Sequence, residues 1–221
     1  MNAARIEVLA VRPGTIALSE AERGALSTMA ERLGGTAAGD PREAEASLLL
    51  KLLLVHRCGG REVRRTEKGK PFIPQAPFCW SLAHDAALAC VAVAPVAVGI
   101  DVEPLVPVRP TMIAALQRAA PSSWTAWVQA ASGTAEQASR FARAWTALEA
   151  SRKAEGTGFG EDGRGVCGAV GPWHYDTVFA WGCAITSACA MDLAMEVRLL
   201  DRSDFDPCLQ ELRQRCGKLA V

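Results

Sequence analysis

Val98-Gly99-Ile100-Asp101-Val102-Glu103-Pro104 places an apolar side chain at every second position, with two carboxylates between them near its end. A period of two predicts a β-strand, and it puts Asp101 and Glu103 on the same face. Like charges paired in this way call for a cation. The pair offers only hard oxygen donors, so a metal held there would be Mg²⁺-like rather than zinc. The plainer reading is a solvated strand end, where acids are common. A proline-rich stretch from Pro104 to Pro110 follows and marks a candidate seam in the chain.

Working outward, Leu88 to Ala94 and Val96 to Val102 read as two short strands parted by Pro95, and Glu43 to His56 as a strongly apolar helix. Downstream, Ala135 to Glu155 has a helical pattern that stops at Gly156. Val178 to Ser187 reads as another strand and Met195 to Leu200 as a last one. Offset by about 91 residues, Asp85-Ala86-Ala87-Leu88-Ala89 falls over Asp176-Thr177-Val178-Phe179-Ala180. The expectation is an α+β fold built from a duplicated unit, with its seam near residues 104 to 110, and sites often lie at such seams.

Two further segments carry chemistry. Trp145, Glu149 and Lys153 stand at i, i+4 and i+8 of the second helix and share one face. Alone, this is also the pattern of a Glu-to-Lys pair on a solvated face with Trp145 in the core. Gly69-Lys70-Pro71-Phe72 is a tight basic turn, and Trp80-Ser81-Leu82-Ala83-His84-Asp85 follows it. A lysine after glycine can meet a phosphate without steric hindrance, and His84 can add a second donor. The alternative for His84, as for His56 and His174, is an ordinary loop histidine.

The composition sets limits. The 221 residues carry 24 Lys plus Arg against 24 Asp plus Glu and are half apolar, which argues against both a polyanion-binding surface and a disordered chain. No window reaches the roughly 20 apolar residues of a membrane helix, and the first residues do not read as a secretory signal, so a cytoplasmic protein is expected. The cysteines Cys58, Cys79, Cys90, Cys167, Cys183, Cys189, Cys208 and Cys216 form no C-x-x-C pair and mostly lie in apolar runs. They are read as free buried thiols in a reducing compartment.

Taken together and in order, Gly69-Lys70-Pro71, Ala83-His84, Gly99-Ile100-Asp101-Val102-Glu103 and Trp145…Glu149…Lys153…Gly156 resemble the 4′-phosphopantetheinyl transferases of the larger, monomeric, two-lobed class, the surfactin-synthetase-activating type. The resemblance spans roughly residues 43 to 187. It implies two similar α/β lobes related by a pseudo-twofold axis with the active site at their interface. Residues 1–104 would form the coenzyme A-binding lobe, and residues 105–221 the lobe with the catalytic helix and the carrier-protein docking surface.

The activity implied is transfer of the 4′-phosphopantetheine arm of coenzyme A to a serine of an apo acyl or peptidyl carrier protein, with release of 3′,5′-ADP. Asp101, Glu103 and Glu149 would hold Mg²⁺, and Lys153 would lie against the α-phosphate. Glu149 would take the serine proton, directly or through a water. Lys70, Pro71 and His84 would receive the 3′-phosphate and adenosine end, with Asp101 and Lys153 also on the coenzyme A side. Trp145 would be a core anchor.

The chain departs from the family pattern at Ala83, where a serine is usual, and at Glu45-Ala46-Ser47, where a basic residue would open the first long helix. Arg42 or the Arg61, Arg64 and Arg65 cluster would compensate. Two other readings stay open: a weakly active homologue that binds coenzyme A or a carrier without efficient transfer, and a Mg²⁺-dependent phosphohydrolase using the same acids. Pro121 to Val128 is expected to start a helix capped by Ser122 or Ser123, with Trp124 and Trp127 either in the core or one of them exposed as a carrier anchor.

Overall fold

The computed structural model describes residues 4–35, 39–60, 62–156 and 173–217. In chain order the elements are β1 (Ile6–Val11), α1 (Glu20–Thr28), α2 (Pro41–Arg57), β2 (Arg64–Arg65), β3 (Pro71–Phe72), β4 (Cys79–His84), β5 (Ala89–Ala94), β6 (Val98–Pro104), α3 (Pro110–Ala119), α4 (Ser122–Gln129), α5 (Thr134–Glu155), β7 (His174–Ala180), β8 (Cys183–Cys189), β9 (Met195–Leu199) and α6 (Arg202–Gly217). The architecture is mixed α+β.

Two sheets lie back to back. One has the order β4-β5-β1-β9 and the other β6-β8-β7, while β2 and β3 form a separate small hairpin. Side-chain alternation explains the arrangement. Along β5, Ala89, Val91 and Val93 face a cluster shared with α1, α2 and α6, whereas Cys90, Ala92 and Ala94 face the layer between the sheets. A strand buried on both faces reads as a continuous apolar run, as Leu88 to Ala94 does. In β6, Val98, Ile100 and Val102 enter the same inter-sheet layer. The opposite face, with Gly99, Asp101 and Glu103, is left for α5.

The connectivity repeats. β1, α2 and the β4–β5 hairpin recur as β6, α5 and the β7–β8 hairpin, and in each case the first strand pairs antiparallel with the second strand of the hairpin. The expected residue-for-residue echo does not hold, because Asp85 sits in the turn between β4 and β5 and Asp176 lies inside β7. The two hairpins have turns of different length, so no fixed offset aligns them. Sheet membership also crosses the seam: β9 pairs parallel with β1, and α6 packs against α1 and α2.

Local signals account for the helix boundaries. Ser19 caps α1 in a capping box with Glu22, and the Asp40 side chain accepts from Arg42 N ahead of Pro41 at the start of α2. Gly156, with φ of 72°, ends α5 in the left-handed conformation that favours glycine. Neither Ser122 nor Ser123 caps α4, because Pro121 takes the cap position and both serines fall inside the first turn. The single strand expected over Val178 to Ser187 is the β7–β8 hairpin, which turns at Trp181 and Gly182, both with positive φ. A tryptophan gives no composition cue for such a turn.

Among the described cysteines, Cys90, Cys183, Cys189 and Cys208 are buried free thiols, Cys58 is half-buried and Cys79 is exposed at the start of β4. Cys167 lies outside the described residues. Among the described residues no helix is long and apolar enough to cross a membrane.

Candidate functional site

Asp101 and Lys153 meet where α5 crosses β6, with Glu103 on the same strand and Glu149 on the same helix. That crossing is close because residue 99 is glycine: a Cβ there would lie 1.8 Å from the Ala150 carbonyl oxygen and 2.5 Å from the Ala154 nitrogen. Backbone packed against backbone brings the last turns of α5 over Asp101. There the Lys153 ammonium donates to Asp101 Oδ1 at 2.7 Å. Lys153 thus has its ion pair across the strand–helix contact and not along its own helix.

Asp101 is buried at 7 % exposure, and its Oδ2 has no hydrogen-bond partner among the described residues. Burial raises its pKa against the opposing pull of Lys153. Burial, then the charges of Asp101 and Asp85, push Glu103 up to about 7. Burial and the Asp101 charge likewise push Glu149 up to about 7, with Lys153 and Arg152 opposing. Asp85, in the β4–β5 turn, therefore adds its charge to Asp101 and Glu103. The sequence offered only its place after His84 as a clue.

Among the described residues no three acidic, histidine or cysteine side chains converge as a ready ligand set. The chemistry of the donors nevertheless fits a hard divalent cation. An orphaned buried carboxylate oxygen and two neighbouring acids held up near neutrality are what such an ion would satisfy.

Lys153 opens onto a cavity of roughly 300 Å³, in the range of small-molecule sites, whose lining does not include Asp101, Glu103 or Glu149. Its walls come from α2, the β2–β3 hairpin, β4 and the C-terminal turn of α5. Lys70, Pro71, His84 and Lys153, all singled out from the sequence, line it, and so do Lys51, Arg65, Lys68 and Arg152. Lys51 is 6 % exposed, donates to Gly35 O at 2.6 Å, and has a pKa lowered to about 8 by burial and the Arg65 charge. One lysine inside the run Leu48-Leu49-Leu50-Lys51-Leu52-Leu53-Leu54 was the signal for it.

Arg65 Nη1 and Nη2 donate to Gly69 O and Gly34 O. Arg42 pairs with Asp40 and Arg64 with Glu62, and neither lines the cavity; Arg61 lies outside the described residues. Ala46 and Ser47 are buried, so the cavity's cation on α2 is Lys51, one turn beyond Ser47. His84 Nδ1 lies 3.0 Å from Glu43 Oε2. Ala83 faces the inter-sheet layer, and Ser81, two residues earlier on the same face of β4, has its hydroxyl accepting from Ile100 N at 3.3 Å.

Trp145 stacks on Phe141 at 6.0 Å between centroids and is half-buried, as an anchor would be. Trp124 packs edge-on against Tyr175, and Trp127 stays exposed with the Arg140 guanidinium 5.4 Å from its ring centre.

Residues 97–169 match the family model of the 4′-phosphopantetheinyl transferase superfamily. That is about a third of the chain, and it includes Asp101, Glu103, Glu149 and Lys153. No curated protein matches the chain. The family match supports a transferase of phosphopantetheine in general terms.

Proposed function

We propose that the chain transfers the 4′-phosphopantetheine arm of coenzyme A to a serine hydroxyl of an apo acyl or peptidyl carrier protein, releasing 3′,5′-ADP, and that it belongs to the monomeric two-lobed class. The observation that carries this reading is the Lys153–Asp101 ion pair, with the charges of Glu103 and Glu149 coupled to it, at the wall of a cavity lined by lysines and arginines. The repeated connectivity supports two lobes related by a pseudo-twofold axis. In this reading residues 1–104 bind coenzyme A, and residues 105–221 carry the catalytic helix and the carrier dock.

In the reaction the serine oxygen bonds to the phosphorus that bears the pantetheine arm, and the bond from that phosphorus to the oxygen of the departing 3′,5′-ADP breaks. Such a displacement needs placement and charge stabilisation more than covalent help. Asp101, Glu103 and Glu149 would hold Mg²⁺, which when bound supplies Lewis-acid neutralisation of the pyrophosphate. Lys153 lies against the α-phosphate and stabilises the charge that collects on the leaving group. Glu149 takes the serine proton, directly or through a water. Lys51, Arg65 and His84 face the nucleotide end, with Lys70 and Pro71 in the wall.

The test is mass spectrometry of a panel of apo carrier domains incubated with the protein, coenzyme A and Mg²⁺. The expected result is a gain of one phosphopantetheine arm on at least one carrier. Binding of coenzyme A without any gain would leave the weakly active homologue, and phosphate or ADP release without a carrier would indicate a phosphohydrolase.

A further inference from the structure

The Gly69-Lys70-Pro71 turn carries a cation whose partners are backbone. Lys70 Nζ donates to Ala154 O at 2.9 Å and lies 3.4 Å from Val98 O. Ala154 is on the last turn of α5 beside Lys153, and Val98 is the first residue of β6, the strand that carries Asp101 and Glu103. Ala154 O is one of the terminal carbonyls that an α-helix leaves without an internal partner, and Gly156 N already serves Arg152 O and Lys153 O. A lysine at a helix C-terminus satisfies such a carbonyl and is favoured by the helix dipole.

The lysine stem is seated as well. A Cβ on Gly156 would come within 3.2 Å of Lys70 Cδ, so the glycine that ends α5 also leaves room for the stem. The contact falls beside Gly99, which lets β6 and α5 approach closely, and the ammonium is half-buried among these groups, its pKa lowered by burial.

We infer that Lys70 is a positioning residue: its ammonium clamps the end of α5 to the start of β6 and so holds Lys153 over Asp101. The inference rests on the transferase reading for its kinetic consequence and on the hydrogen bonds alone for its structural one. A clamp and a phosphate ligand use a lysine differently. A clamp needs a donor aimed at carbonyl oxygens, whereas a phosphate ligand needs positive charge.

Lys70→Gln and Lys70→Met separate the two. Both are neutral, but glutamine keeps an N–H donor near the carbonyls and methionine keeps none. For Lys70→Met the expected result is a kcat reduced about tenfold or more, a Kd for coenzyme A by calorimetry within threefold of wild type, and faster hydrogen exchange at amides 152–156. Lys70→Gln should recover most of the kcat and of the protection. An equal rise in coenzyme A Kd in both variants, with exchange unchanged, would overturn the clamp and return the ammonium to the ligand. If Lys70→Met does not fold, Lys70→Gln decides alone: a raised Kd with normal exchange overturns the clamp, and a near-normal Kd with a modestly reduced kcat upholds it. If the wild-type protein transfers nothing, the transferase reading falls while the exchange comparison still decides the clamp.

Discussion

Lys153 and Asp101 form an ion pair at 2.7 Å that joins the end of α5 to β6 and leaves the second Asp101 oxygen buried without a hydrogen-bond partner among the described residues. Burying a carboxylate costs stability unless it is paired and bonded. Lys153 offsets part of that cost at Asp101. Asp101→Asn should therefore reduce carrier modification by about a hundredfold or more while the melting temperature holds or rises. Lys153→Ala should lower kcat by on the order of a hundredfold. Near wild-type turnover by a folded Asp101→Asn protein would remove the ligand role, and unchanged kinetics in Lys153→Ala would leave that residue as a structural ion pair.

Gly99 sets the distance between strand and helix. Gly99→Ala places a methyl against the Ala150 carbonyl oxygen and the Ala154 nitrogen, both backbone atoms that cannot rotate away. A loss of about 3 kcal/mol in chemical denaturation is expected, with transfer falling further than stability because Lys153 moves off Asp101. Wild-type stability in the alanine variant would show that the helix can retreat freely.

Glu22 ties α1 to α6. It is 2 % exposed; burial raises its pKa, but hydrogen bonds from Arg202 and Ser19 outweigh that and bring it down to about 2. A carboxyl with a lowered folded-state pKa contributes stability that is present above its unfolded value near 4.5 and is lost as pH falls toward about 2. Thermal melts from pH 6 to pH 2 should show a steeper loss for the wild type than for Glu22→Gln, which should already be less stable at pH 7 by about 1–3 kcal/mol. Parallel curves for the two proteins would contradict the assignment.

The two tryptophans of α4 have different surroundings. Trp124 packs on Tyr175 and Trp127 stands 40 % exposed under Arg140. Both line a second cavity of roughly 290 Å³ with Arg143, Ala144 and Ala147 of α5. Trp127→Ala should keep the fold and raise the Michaelis constant for the carrier alone, by about fivefold to tenfold, as an exposed aromatic anchor would. Trp124→Ala should cost about 2 kcal/mol. Equal changes in the constants for carrier and coenzyme A would remove the docking role from α4.

How much of this was legible in the sequence follows from the range of the forces involved. Local pattern determined β5, β6, α2 and α5: alternation along Val98 to Glu103 put Asp101 and Glu103 on one face, and the i, i+4, i+8 spacing put Glu149 and Lys153 on another. Gly156 ended α5 as its residue type dictates, because only a residue at ease at positive φ closes that turn cheaply. Tertiary structure alone decided that Lys153 pairs with Asp101, 52 residues away, and that Lys70 reaches Ala154 O, 84 residues away. It also decided that Lys51, in the middle of an apolar helix, opens onto a cavity, and that β9 returns to pair with β1. Periodicity encodes which face a residue takes, since that depends on backbone geometry over a few residues. Which faces then meet is set by apolar burial summed over the whole chain, and that sum includes contacts no local window contains.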